Sequence, residues 1–204
     1  AKLEGSVGLK HPSIPLPLDM YGTLRKNSKG YDLANDISLA ALDSTAQELR
    51  NRIWQSHPLL ANTDSLEQGH SVEITNPAQN DEIVGYVQEA DLKHVEIALT
   101  AAEQTQSEWS NTPKDQRAQY LKRAADLMES RIQELMVLLC RESGKTYANA
   151  IAEVREAVDF LRYYATQVEN LPANTVIQPL GTVLCISPWN FPLAIFSGQI
   201  AAAL

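Results

Sequence analysis

A run of apolar β-forming residues, Val183-Leu184-Cys185-Ile186, leads through Ser187 into a corner bracketed by prolines, Pro188-Trp189-Asn190-Phe191-Pro192, and a helical pattern follows over 193–204. An apolar run without alternation marks a strand buried on both faces, as in a parallel sheet. Strand, tight turn and helix make the first half of a β-α-β unit, and the whole unit takes about 30 residues or more. The sequence after Ser187 is shorter than that, and no second run of this kind exists to pair with. A strand left alone would bury unsatisfied backbone groups. The expectation is that these residues are the N-terminal part of something larger, whose sheet is completed elsewhere.

The 204 residues are 44% hydrophobic and 21% charged, an ordinary balance for a globular protein. Lys and Arg total 17 against 25 Asp and Glu, a net charge of -8. Such a surface repels phosphate backbones, so no nucleic-acid partner is expected. Cys140 and Cys185 lie in apolar runs and are expected to be buried core thiols. No Cys-x-x-Cys is present, which suits a reducing compartment. His11, His57, His70 and His94 form no metal-ligand spacing. The apolar runs are too short for a membrane span, and the first ten residues lack signal-peptide architecture. A cytoplasmic location is expected.

Residues 1–31, with Pro12, Pro15 and Pro17 alternating with apolar residues, read as an extended arm that lies along another surface or links domains. A helix is expected over 33–55, with Leu42, Ala46, Leu49 and Ile53 on one stripe, ended by His57-Pro58 and followed by the polar loop 61–69. Val72 and Ile74 then alternate, and Ile83-Val84-Gly85-Tyr86-Val87 is rich in β-formers, predicting two strands with a longer connection. Asp91 can cap the next helix. Thr112-Pro113 reads as a capping hydroxyl followed by proline at the first helical position. Ser130 opens a capping-box pattern, and Gly144 stops the segment that follows. Thr146 starts a long helix with Ile151, Val154, Val158, Leu161, Ala165 and Val168 on one stripe.

Gly144-Lys145-Thr146 resembles the end of a phosphate-binding loop, but position 139 is leucine and the preceding pattern is helical, so that reading is rejected. The proline-bracketed corner is the informative site. In open α/β sheets ligands bind at the carboxyl ends of strands. Asn190 offers a side-chain amide there, able to stabilise an oxyanion; alternatively it caps the following helix. Glu156 lies opposite the Val154 stripe, with Phe160 and Tyr163 on its side. It reads either as a carboxylate with a raised pKa beside apolar groups or as a surface acid balanced by Arg155 or Arg162.

The segment PLGTVLCISPWNFPLAIFSGQIAAAL resembles the entry to the cofactor domain of the aldehyde dehydrogenase superfamily, and ITNPAQNDEIVGYV resembles its early hairpin. REAVDFLRYYA, preceded by ESGKTYANAIAEV, is similar to the branch acting on glutamate semialdehyde, 1-pyrroline-5-carboxylate dehydrogenase. The arm GLKHPSIPLPLDMYGTLRKNSKGYDLAN resembles the segment after the proline dehydrogenase barrel in bifunctional bacterial proline-utilization proteins. The resemblance implies an α/β fold, incomplete here: mostly helices, an early β-hairpin and the first strand of a Rossmann-like sheet. It divides the chain into an arm and helix (1–68), a hairpin with helices (69–179), and the opening of an NAD-binding domain (180–204).

The resemblance also implies roles. Asn190 matches the oxyanion-hole amide for a thiohemiacetal. Ile186, Ser187, Pro188 and Trp189 match the stretch lining the NAD site. Phe191 matches an aromatic wall of the substrate pocket, and Glu156 a helix acid facing it. The family's catalytic cysteine, general-base glutamate and ribose-side lysine all fall beyond residue 204. Neither Cys140 nor Cys185 stands in for the nucleophile. The implied reaction is thiolate addition to L-glutamate γ-semialdehyde, hydride transfer to NAD and thioester hydrolysis to glutamate, with FAD confined to the proline dehydrogenase part of the parent. The implied partners are the rest of that polypeptide and further copies of it in a homo-oligomer. The chain by itself is expected to reduce no NAD. Two rivals stand beside this reading: a non-enzymatic helical interaction module with the arm as a docking strand, and an aldehyde dehydrogenase of another substrate class.

Overall fold

The structure is a computed structural model that describes residues 11–60, 70–172, 175 and 178–204. A short 3-10 helix (Pro17–Asp19), six α-helices and three strands are described: α1 (Asp36–Glu48), β1 (Trp54–Ser56), β2 (Ser71–Asn76), β3 (Gln79–Gln88), α2 (Leu92–Asn111), α3 (Lys114–Ser130), α4 (Ile132–Ser143), α5 (Tyr147–Glu169) and α6 (Ala194–Ala203). The loop 61–69 and the first ten residues lie outside the described part. No described helix is long and apolar enough to cross a membrane.

The central helix is α5. Its stripe of Ile151, Val154, Val158, Leu161 and Ala165 is buried as the spacing predicts, Val168 at its end is half-buried, and small residues at Ala150 and Ala157 lie buried beside it. Against it pack α3 through Ala118, Leu121 and Ala125, and α4 through Met136, Val137 and Leu139. The side-chain oxygen of Thr146 accepts from Asn149 N and caps the start of α5. Gly144 ends α4 with φ of +64°, in the left-handed region that glycine adopts without cost. Helical residues up to 143 and this glycine stop bear out the rejection of a phosphate loop there.

Other expectations need correction. The first helix ends at Glu48, with Leu49 as its C-cap, and Ile53 is exposed. Trp54–Ser56 is instead a strand running parallel to β3, in a sheet of order β1-β3-β2. Helical spacing alone did not show that these residues have a sheet edge to join. The hairpin strands are longer than expected, so only Pro77 and Ala78 separate them. Asp91 caps α2 as expected, but the Thr112 hydroxyl donates to Glu108 O in the preceding turn, and Pro113 itself stands at the start of α3. Ser130 likewise donates back to Leu127 O, and α4 begins without a side-chain cap. In both links the chain is too short for the hydroxyl to leave the helix it follows.

Of the arm, residues 11–24 are mostly exposed, whereas Asn27 and Ser28 are buried against α5. Arg25 Nη1 lies 2.9 Å from Asp159 Oδ1, which also accepts from Ser28 N; the Ser28 hydroxyl donates to Oδ2 at 2.7 Å. Arg162 donates to Asn27 O, Asp126 and Glu129. Of the described arm, the stretch around Arg25, Asn27 and Ser28 is thus held on α5 by polar groups.

The segment Val183–Ile186 forms no strand. Leu184 and Ile186 are 82% and 75% exposed, and no described strand pairs with it. A strand needs a ladder partner to satisfy its backbone groups, and the described residues supply none. For the same reason Cys185 is only half-buried. Cys140 is half-buried too, so neither thiol is the fully buried core group expected.

Candidate functional site

Two elements build the corner at 188–192: α6, which follows it, and the first half of α5, on which it rests. Phe191 N donates to Pro188 O at 3.4 Å, closing the turn. Gln199 of α6 reaches back and donates to Ile186 O at 2.9 Å. Gly198 lets α6 approach α5 closely, since a Cβ there would lie 2.7 Å from the Phe160 ring.

The polar centre of this packing is Glu153, which the sequence reading did not select. Its side chain is 1% exposed. Oε1 accepts from Leu193 N at 2.8 Å and Ala194 N at 3.3 Å, the first amides of α6. A carboxylate at a helix N-terminus satisfies otherwise unpaired donors and meets the positive end of the dipole. Oε2 lies 2.6 Å from Lys145 Nζ in an ion pair. The Lys145 ammonium donates to Asn190 O at 2.9 Å and sits 4.8 Å from the centre of the Phe191 ring. Removing one partner of a buried pair strands the other's charge, a loss of about 3–5 kcal/mol. A signal was available in sequence: an acid on the alanine seam of a long helix, between Ala150 and Ala157, with a lysine one short link upstream of that helix.

Asn190 is exposed, and among the described residues its side-chain amide makes no hydrogen bond. It does not cap α6; Glu153 does, from another helix. The structure therefore brings Ile186, Ser187, Pro188, Trp189, Asn190 and Phe191 onto one segment with a clamped backbone and outward-facing side chains. Trp189 is 86% exposed and Phe191 39%. Glu156 is half-buried on α5, one turn beyond Glu153. No described group pairs with it: Arg155 donates to Ser28 Oγ, and Arg162 is taken by Asp126, Glu129 and Asn27. Of Glu153 and Glu156, it is Glu153 that hydrogen-bonds the residues following the corner.

Burial raises the Cys140 thiol above its ordinary value, opposite to what a nucleophile needs. Among the described residues no group of His, Cys, Asp and Glu is arranged to hold a metal. One hollow, of about 810 Å³, lies between α2, α3 and residues 181–183, lined by Trp109, Tyr120 and Leu204 among others. It does not include Asn190.

A helical unit with a small sheet, ending in a clamped corner that presents a free amide, defines a class: the profile of the aldehyde dehydrogenase family matches residues 64–204, and the chain belongs to that family. Over its full length the chain is 54% identical to the bifunctional protein PutA of Escherichia coli K12, of which it spans 15%. It is 30% identical over 185 residues to 1-pyrroline-5-carboxylate dehydrogenase of Bacillus thuringiensis Al Hakam, covering 85% of this chain and 36% of that protein. The solved 1-pyrroline-5-carboxylate dehydrogenase from Thermus with bound NAD matches with a TM-score of 0.76 at 28% identity, over 95% of this chain and 39% of that one. The chain thus spans well under half the length of each.

Proposed function

We propose that this chain is a segment of an NAD-dependent dehydrogenase that oxidises L-glutamate γ-semialdehyde to glutamate in proline catabolism, within a cytoplasmic bifunctional enzyme whose proline dehydrogenase part holds FAD. The names and coverage of its relatives support the substrate and the pathway. Residues 1–68 tie the two catalytic parts together, 69–179 form the helical flank of the site, and 180–204 open the NAD-binding domain. The longer polypeptide supplies the nucleophile and general base and assembles as a homo-oligomer.

One observation carries the reading of the site: the corner is fixed through backbone groups while the Asn190 amide is left unengaged. A preorganised donor of this kind stabilises charge as it develops on the carbonyl oxygen. Phe191, held under the Lys145 ammonium, forms one wall against the aliphatic part of the aldehyde, and Glu156 faces the same pocket. The residues present fit part of NAD. Ile186, Pro188 and Trp189 offer an exposed apolar ledge with the Ser187 hydroxyl within it, suited to the nicotinamide and its ribose. No lysine or arginine occurs in 180–192 to meet the diphosphate. When bound, NAD accepts the hydride from the substrate carbon.

The test is Asn190→Ala in the full-length enzyme, followed by NADH formation from glutamate semialdehyde. Turnover is expected to fall about 10²- to 10³-fold with little change in NAD affinity. Unchanged turnover would remove the oxyanion role.

A further inference from the structure

The geometry points to Lys145 and Glu153 as positioning residues for the reaction: together they set the backbone orientation from which Asn190 presents its amide. This inference rests on the oxyanion role proposed above and adds the device that aims the donor. Three observations carry it. The Lys145 ammonium donates to the carbonyl oxygen of Asn190 itself, 2.9 Å away, and so acts on the peptide plane next to the Cα that bears the amide. The same ammonium is drawn onto Glu153, whose carboxylate is buried and cannot follow the turn into solvent. That carboxylate in turn holds Leu193 N and Ala194 N, so one ion pair fixes the corner at Asn190 and again just after Pro192.

Neither residue needs to touch the aldehyde. With Asn190 exposed and its side chain without a partner, only the backbone restrains the direction of the amide. An oxyanion donor works within a narrow distance of the developing charge, so a small rotation of this peptide costs turnover without removing any group that contacts substrate. The role differs from ordinary packing in one respect: its effect on catalysis must pass through the Asn190 side chain.

The experiment uses the full-length enzyme in four forms: wild type, N190A, the double variant K145M/E153Q, and the triple variant. Pairing K145M with E153Q strands no buried charge and leaves a side-chain oxygen to cap α6. N190A is expected to lower kcat about 10²- to 10³-fold and K145M/E153Q about tenfold or more, with the Kd for NAD, from quenching of tryptophan fluorescence, changed less than about threefold in each. The triple variant is expected to be no slower than the worse of the two, because residues acting through one group do not add. The inference is overturned if K145M/E153Q keeps kcat within about twofold, or if the losses multiply in the triple variant. Loss of NAD binding together with turnover marks the pair as merely structural and overturns it as well. If N190A leaves kcat unchanged, the oxyanion role falls and this inference with it; an impaired N190A with multiplying losses sinks this inference alone.

Discussion

Gly198 has no side chain because Phe160 stands where one would go. Its position inside α6 sacrifices helix propensity, and what it gains is the close approach of α6 to α5 that lets Glu153 reach the first amides of the helix. Gly198→Val should force the two helices apart and destabilise the fold by about 1–3 kcal/mol, seen as a lower urea midpoint with an unchanged m value. An unaltered midpoint would mean that Phe160 turns away freely. Residues of this kind were partly legible in sequence. Asn190 stood out because two prolines and a tryptophan frame it. Lys145 and Glu153 did not, because an acid on a long helix reads as a surface group until the packing partner of its face is known.

At the scale of elements, helices were read well and edges poorly. The stripe of α5, the Asp91 and Thr146 caps and the Gly144 stop all follow from local spacing and capping chemistry. Strand β1 does not, since three residues carry no period and their pairing is with a strand about thirty positions away. Gly85 is the reason the pairing is possible: a Cβ there would lie 2.5 Å from Trp54 O, a backbone atom that cannot turn aside. Gly85→Ala should therefore push β1 off the sheet, at a cost of about 1–3 kcal/mol, with faster amide exchange at 54–56 and little change in α5. Exchange that stays slow at those residues would refute it. Arg141 adds to the edge by bonding Glu82 at 2.8 Å and the carbonyls of Leu49 and Arg52, so the end of α1, β3 and α4 meet on one side chain.

Across the whole molecule, carboxylates knit the elements together, and this sets the pH response. The Glu82 carboxyl is held below its ordinary range first by the hydrogen bond from Asn76 and then by Arg141. Glu134 is held down chiefly by its hydrogen bond from Arg131, with Arg52 adding to it. A depressed folded pKa gives stability that is complete above the unfolded value and lost as pH falls through the folded one. The urea midpoint should therefore drop as the pH is lowered through and below the ordinary glutamate range, and a Glu82→Gln/Glu134→Gln variant should show a shallower decline. Equal declines would show that these pairs do not govern it. By itself the sequence determined the helical flank, the acidic surface and the rigid corner at 188–192, because periodicity, charge and proline geometry are local properties of the chain. The tertiary structure alone decided which acid holds the corner, where Asn27 and Ser28 dock and that Trp54–Ser56 joins the sheet beside β3. Those outcomes depend on what a residue meets across space, and a buried ion pair or a sheet partner leaves no period in the chain that forms it.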